Sequence, residues 1–360
     1  MMLERFGHGG DWHTAADLFG EREQWLDFSA NMNPLGPPPH VHEALRSAWQ
    51  TITRYPDPAV RELREKLASH HGISPDNILV GNGAAECIDL AMRVLKPRRL
   101  GLVRPAFSEY EEAAAKLGCE LHEVYLKTEN SFVLEEDLAV RLSDCCDTVI
   151  LGHPNNPTGQ LIPGASLRIL LSSGSKLIID EAFLDFSQEE ETLSLIPEAA
   201  RREGLIVIRS MTKFYAIPGL RLGYAVADAA LIREMQKLQV PWSVNAMAQA
   251  AGIAALEDSE YAARTKQWLA DERPWLTQAL KGLGLTVYSG MPNYILFALP
   301  EDSPWTAASL QQALGRKGIL IRDASHFRGL TNKFVRCAVR DRKDNEVLIV
   351  EMRKLLAAHP

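Results

Sequence analysis

From Asn77 onward the chain alternates short apolar runs with longer stretches that place apolar residues at helical spacing. Residues 78–80, 100–103, 120–125, 148–151, 177–179 and 205–208 predict strands, and residues 84–95, 107–117, 134–142 and 162–171, lying between them, predict helices. Such alternation builds a mostly parallel sheet covered on both faces. Sheets of that kind bind ligands beyond the carboxyl ends of their strands, so the residues after each apolar run are where chemistry belongs.

The pattern changes at both ends. Residues 1–40 are rich in turn formers and predict an irregular arm, running from Gly9-Gly10 to Asn31-Met32-Asn33-Pro34-Leu35-Gly36. Pro37, Pro38 and Pro39 then hand over to a helix at 41–49. Arg54-Tyr55-Pro56-Asp57-Pro58 predicts a rigid turn before a helix that ends near His70. After Pro241, helices at 243–256 and 261–280 lead into shorter strands at 285–288, 295–298, 318–321 and 334–339, interleaved with helices at 305–316 and 342–357. The expectation is an α/β protein with an arm (1–45) joining the small domain, a large domain (46–256) and a small α+β domain (257–360).

Composition narrows the function. The 360 residues are 46% apolar and 24% charged, ordinary for a globular chain of about two domains. A net charge of −7 gives no electrostatic case for nucleic acid or an anionic membrane as the main partner. The amino terminus through His8 lacks a signal-peptide core, and no window has the roughly 18 apolar residues of a membrane span, so a soluble, cytoplasmic protein is expected. Cys87, Cys119, Cys145, Cys146 and Cys337 show no C-x-x-C spacing and read as reduced core thiols. The histidines form no H-E-x-x-H, and metal chemistry has no support.

Five candidates stand in order at the predicted carboxyl edge. Gly81-Asn82-Gly83-Ala84-Ala85-Glu86 joins a strand to a helix, where the amides of Ala84 and Ala85 suit a phosphate, although a tight turn explains the glycines equally. Phe107 follows the next strand and can stack on a flat ring or simply pack. Asn155 and Asn156, between Pro154 and Pro157, are rigidly aimed amides or a plain turn. Asp180 ends a buried strand, a costly place for a carboxylate unless a cation such as a pyridinium N–H pairs with it; the alternative is a helix cap. Lys213, in the run from Ser210 to Tyr224 that includes Arg221, is either a loop lysine or the amine that forms a Schiff base with an aldehyde cofactor. Taken jointly, phosphate cradle, ring stack, amide donor, aspartate and lysine are the partners that pyridoxal phosphate requires.

The chain resembles the fold-type I pyridoxal-phosphate enzymes of the aspartate aminotransferase class over essentially its full length. The resemblance rests on Asn155-Asn156-Pro157-Thr158-Gly159, on Asp180-Glu181-Ala182, and on Ser210-x-x-Lys213 with Arg221-x-Gly223-Tyr224. It implies pyridoxal 5′-phosphate bound covalently to Lys213, Asp180 on the pyridine nitrogen, Asn156 on O3′ and Phe107 on the ring. Ser210, Arg221 and the amides of Ala84 and Ala85 would hold its phosphate. Tyr55 matches a tyrosine that reaches the phosphate of the neighbouring subunit, which implies a homodimer. Arg336 matches the arginine for the substrate α-carboxylate, and Arg322 the one that histidinol-phosphate aminotransferases use for a substrate phosphate.

Phe6-Gly7-His8-Gly9-Gly10 and the segment from Asp27 to Gly36 look like the branch that decarboxylates a phosphorylated threonine in cobalamin biosynthesis. That branch implies His8 and Asn33 as further substrate contacts. An aminotransferase for histidinol phosphate, or a binding or regulatory protein on the same fold, are the alternatives. Phe183 stands where those aminotransferases have a tyrosine, so a donor to the cofactor's O3′ is missing.

Overall fold

The apolar runs become strands of one seven-stranded sheet. The computed structural model describes Leu3 and residues 7–357; Phe6 lies outside them. In chain order the strands are β1 (Ile78–Gly81), β2 (Arg99–Arg104), β3 (Glu120–Tyr125), β4 (Thr148–Gly152), β5 (Lys176–Asp180), β6 (Leu205–Ser210) and β7 (Gly223–Val226). In space they lie β1-β7-β6-β5-β4-β2-β3. Strands β2 to β6 run parallel, whereas β7 is antiparallel to both its neighbours. Every residue of β4, β6 and β7 is buried. Consecutive strand residues face opposite sides, so burial of all of them requires cover on both faces.

Strand β7 was not among the expected elements, because four residues after a Pro-Gly-Leu-Arg turn carry no readable periodicity. Its position matters: Gly223 pairs with both Gly81 and Ser210. Arg221, two residues earlier, is thereby delivered beside the start of the helix Ala84–Leu95.

A second layer comprises β8 (Thr286–Tyr288), β9 (Tyr294–Ala298), β10 (Arg322–Asp323) and β11 (Phe334–Ala338), an antiparallel sheet in the order β10-β11-β9-β8. The single strand expected at 318–321 is in fact divided. Residues Ile319–Leu320 pair in parallel with Leu26–Asp27 of the amino-terminal arm, while β10 joins the small sheet with Arg322 opposite Arg336. The 23-residue helix Ser259–Lys281 packs on β8, on the final helix Arg342–Ala357 and on the turn after β5, and so bridges the two layers.

One further expectation needs correction. The arm is not irregular throughout: Trp12–Phe19 is a helix whose first turn is capped by Asp11, which accepts from the Thr14 amide at 3.0 Å. The helix Pro39–Trp49, which contains residue 45, packs against the helix Ala246–Leu256. Among the described residues no helix is long and apolar enough to cross a membrane.

Candidate active site

Beyond the carboxyl ends of the large sheet's strands lies a cavity of about 590 Å³, large enough for a cofactor and a small substrate together. The turns after β1, β2, β4, β5 and β6 place Ala84, Ala85, Phe107, Asn156, Asp180 and Lys213 on its wall, and Arg221 joins them from the turn before β7. Adjacent parallel strands bring these turns side by side, which is why residues far apart in sequence converge.

At the floor, burial raises the pKa of Asp180, and a hydrogen bond from Tyr110, Lys213 nearby and the Ala182 amide oppose that rise. Tyr110 Oη donates to Asp180 Oδ2 at 2.7 Å and the Ala182 amide to Oδ1 at 3.0 Å. Lys213 Nζ donates to Ser210 Oγ at 3.2 Å and lies 5.4 Å from the centre of the Phe183 ring. Burial lowers the Lys213 pKa to about 8, with Asp180 opposing and Arg221 and Arg336 adding to the fall. A lysine so placed yields an uncharged, nucleophilic amine close to neutral pH.

Arg221 takes a left-handed backbone (φ 59°), a conformation that costs a non-glycine residue roughly 1–2 kcal/mol. The turn aims its guanidinium at the helix start. A Cβ built on Gly83, itself at φ 82°, would lie 2.6 Å from Arg221 Nη2. The helix it caps has 12 residues and no side-chain cap at its start. Cation and positive helix end therefore converge on one spot, an arrangement suited to an anion.

The opposite wall comes from the small sheet. Arg336 donates from Nη1 to Asn156 Oδ1 at 2.6 Å and from Nη2 to the Ser29 carbonyl at 2.9 Å. Its guanidinium lies 5.3 Å from the Tyr294 ring centre and 6.0 Å from that of Phe327, and Arg322 lies 5.5 Å from the same Phe327 ring. Arg322 Nη2 donates to the Gly7 carbonyl at 2.5 Å, which holds the arm across the mouth. There His8 Nε2 pairs with Glu109 Oε1 at 2.9 Å, beside Phe107.

Three residues singled out from the sequence lie elsewhere. Ser210 is buried behind the cavity wall, where its hydroxyl meets Thr212 Oγ1 at 2.9 Å. Asn33 is buried too: its amide donates to the Phe214 carbonyl, Tyr261 and Thr265, and its own N–H donates to the Lys213 carbonyl. Tyr55 is 82% exposed and stacks on Trp242 with ring centres 4.8 Å apart, away from the cavity of its own chain.

The sequence reading missed a buried charge layer behind the floor. At the ends of β5 and β6 consecutive residues face opposite sides, so Asp180 looks into the cavity and Glu181 away from it, with Arg209 beneath Ser210. Arg209 Nε meets Glu181 at 3.0 Å, and its Nη1 meets Glu190 at 2.8 Å and Asp185 at 3.2 Å. Lys266, from the bridging helix, meets Glu190 at 3.0 Å. Three carboxylates face two cations, and burial pushes the Asp185 carboxyl up. The available signal was an arginine closing the apolar run of β6 next to Asp180-Glu181 on β5. Tyr110, also missed, offered no comparable signal.

The sheet order, the lysine after β6 and the aspartate ending β5 together define a class. A family model for aminotransferase class I and II matches residues 23–351, and the chain belongs to that family. Among relatives, it is 41% identical to the threonine-phosphate decarboxylase of Salmonella typhimurium, covering 99% of this chain and 98% of that protein. Among solved structures, histidinol-phosphate aminotransferase from Clostridium acetobutylicum superposes with a TM-score of 0.85 at 30% identity, covering 92% of this chain and 99% of that one. L-threonine-O-3-phosphate decarboxylase from Porphyromonas gingivalis superposes with a TM-score of 0.81 at 27% identity, with the same coverage of 92% and 99%.

Proposed function

We propose that this protein is a pyridoxal-phosphate-dependent carboxy-lyase that converts L-threonine O-3-phosphate to (R)-1-aminopropan-2-ol O-2-phosphate and carbon dioxide, in cobalamin biosynthesis. The observation that carries this reading is the pair Arg322 and Arg336, directly opposite on antiparallel strands and both against Phe327. Two guanidiniums on one wall suit a ligand with two anionic groups, and a phosphorylated amino acid has both. The 41% identity with a threonine-phosphate decarboxylase supports this choice of substrate.

The large-sheet wall fits the cofactor. The seat that a Cβ on Gly83 would fill, between Arg221 and the amides of Ala84 and Ala85, suits the cofactor phosphate, with Ser210 behind it. Asp180, buried with two neutral donors, suits a pyridinium N–H. Phe107 would cover the ring and Asn156 would donate to O3′. Bound there, the group supplies an electron sink for the bond broken at Cα. Lys213, its pKa lowered to about 8 by burial, is placed to hold a proton at neutral pH and to deliver it to Cα once carbon dioxide has left. Arg336 holds the α-carboxylate by a two-pronged contact, and the Tyr294 and Phe327 rings keep water from it. Arg322 and His8 take the substrate phosphate. Asn33 serves from behind, by fixing the Lys213 backbone.

The exposed Tyr55, with Trp49 and Ile52 also exposed, supports a homodimer in which Tyr55 reaches the neighbouring site. The arm, large and small domains are inferred to meet at this cavity, and the cytoplasm is the inferred compartment.

Incubation with threonine phosphate and no 2-oxoacid tests the reaction: sustained carbon dioxide release is expected. No release, together with amino transfer from histidinol phosphate, would establish the alternative that the Clostridium acetobutylicum structure represents. Borohydride that failed to fix cofactor on Lys213 would leave a binding protein.

A further inference from the structure

The arm that crosses the mouth is anchored on both sides. Leu3 is buried in a small apolar cluster with Ala15, Trp25 and Leu320. Past the mouth, Trp12 Nε1 donates to Asp27 Oδ2 at 2.9 Å. Between these anchors the Gly10 amide donates to Ser29 Oγ at 2.9 Å. The Ser29 hydroxyl in turn donates to Asp27 Oδ1 at 2.7 Å, and the Ser29 amide donates to the same oxygen at 2.8 Å, which fixes the rotamer. Its carbonyl accepts from Arg336 Nη2 at 2.9 Å. Ser29 is 1% exposed and so has no slack. Gly9 rests directly on it: a Cβ there would come within 2.3 Å of the Ser29 carbonyl oxygen. Ser29 thus touches the arm through its hydroxyl and the carboxylate-binding arginine through its carbonyl.

The geometry points to Ser29 as a positioning residue that sets the spacing between two anion seats, one at Arg336 and one at His8. It rests on the reading above that His8 takes the substrate phosphate. Fixed at one joint, the two seats keep a constant separation, as a ligand carrying both a carboxylate and a phosphate requires. Asp27 serves by locking Ser29, and the glycine at position 9 lets the arm come down to it.

The test uses the cofactor-loaded protein, titrated calorimetrically with inorganic phosphate and, separately, with unphosphorylated L-threonine. Ser29→Ala removes the hydroxyl and keeps the carbonyl. It is expected to weaken phosphate binding roughly tenfold, the worth of about one hydrogen bond, and to leave L-threonine within about twofold. His8→Gln weakens phosphate as well, and the double variant is no weaker than His8→Gln alone, because both act through one contact. Gly9→Ala pushes against the Ser29 carbonyl, lifts the arm off the joint and is expected to weaken phosphate binding as Ser29→Ala does. If phosphate binding is unchanged in Ser29→Ala and Gly9→Ala but falls in His8→Gln, the phosphate reading stands and the role of Ser29 does not. If His8→Gln changes nothing, both fall. Equal losses for phosphate and L-threonine in Ser29→Ala would make Ser29 a mere support for Arg336 and overturn the proposal.

Discussion

The two walls of the cavity are built differently. The large-sheet wall is assembled from turns that follow neighbouring parallel strands, and it is braced by a buried layer in which Arg209 binds Glu181, Asp185 and Glu190. The small-sheet wall is assembled from pieces distant in sequence: Gly7 meets Arg322, and Ser29 meets Arg336. The first wall is held by a continuous sheet and a buried ion network. The second holds two arginines on one aromatic ring. Under the function proposed above, reaction and substrate selection divide between the two walls.

Substitutions can break that division. The largest effect is expected for Lys213→Ala, which should lower turnover on the order of 10²–10⁴-fold. Borohydride should then fix no cofactor on the chain. Next comes Glu181→Gln, which leaves Arg209 short of one buried partner and should cost about 3 kcal/mol of stability by denaturant unfolding. Neither change belongs to the small-sheet wall. Arg336→Lys, which replaces a two-pronged contact by a point charge, should raise KM roughly tenfold or more while the cofactor absorbance stays as in the parent. A lost cofactor signal in that variant would mean the walls are not separate.

The charge layer also gives the large-sheet wall a pH dependence. His71 Nε2 lies 2.7 Å from Tyr224 Oη, and burial, reinforced by Arg209, lowers the His71 pKa to about 3 from 6.5. A depressed folded pKa means stability that is complete above pH 6.5 and is lost as pH falls toward 3. The expected slope is up to about 1.4 kcal/mol per pH unit. His71→Gln should flatten that acid limb in a series of unfolding curves, and an unchanged limb would assign the acid sensitivity to another group. The smallest effect is expected at Phe183, whose ring centre lies 5.4 Å from Lys213 Nζ. Phe183→Tyr adds a donor there and should lower the midpoint of the cofactor's absorbance titration by roughly one pH unit. Coincident midpoints would mean the added hydroxyl points elsewhere.

How much was legible follows from the same contrast. Residues 84–95 and 342–357 read as helices, and 120–125 as a strand, with the bounds observed, because long periodic segments carry their own signal. Asp180, Asn156 and Lys213 stood out because the ends of neighbouring parallel strands converge on one edge, and all three line the cavity there. By contrast, β7 is too short to show a period, and the arm helix Trp12–Phe19 depends on Leu3, Trp25 and Leu320 for its packing. Asn33 carried the look of a substrate contact, yet its amide is committed to Tyr261 and Thr265.

By itself, then, the sequence determined the sheet and the order of the groups along its edge, Lys213 included, since these depend on local periodicity and on strand ends. Only the tertiary structure decided that Arg322 and Arg336 stand opposite one another, that Glu181 and Arg209 form a buried brace, and that Ser29 joins the arm to Arg336. Those contacts link segments up to 307 residues apart. No local pattern encodes them, because each arises from which elements pack together.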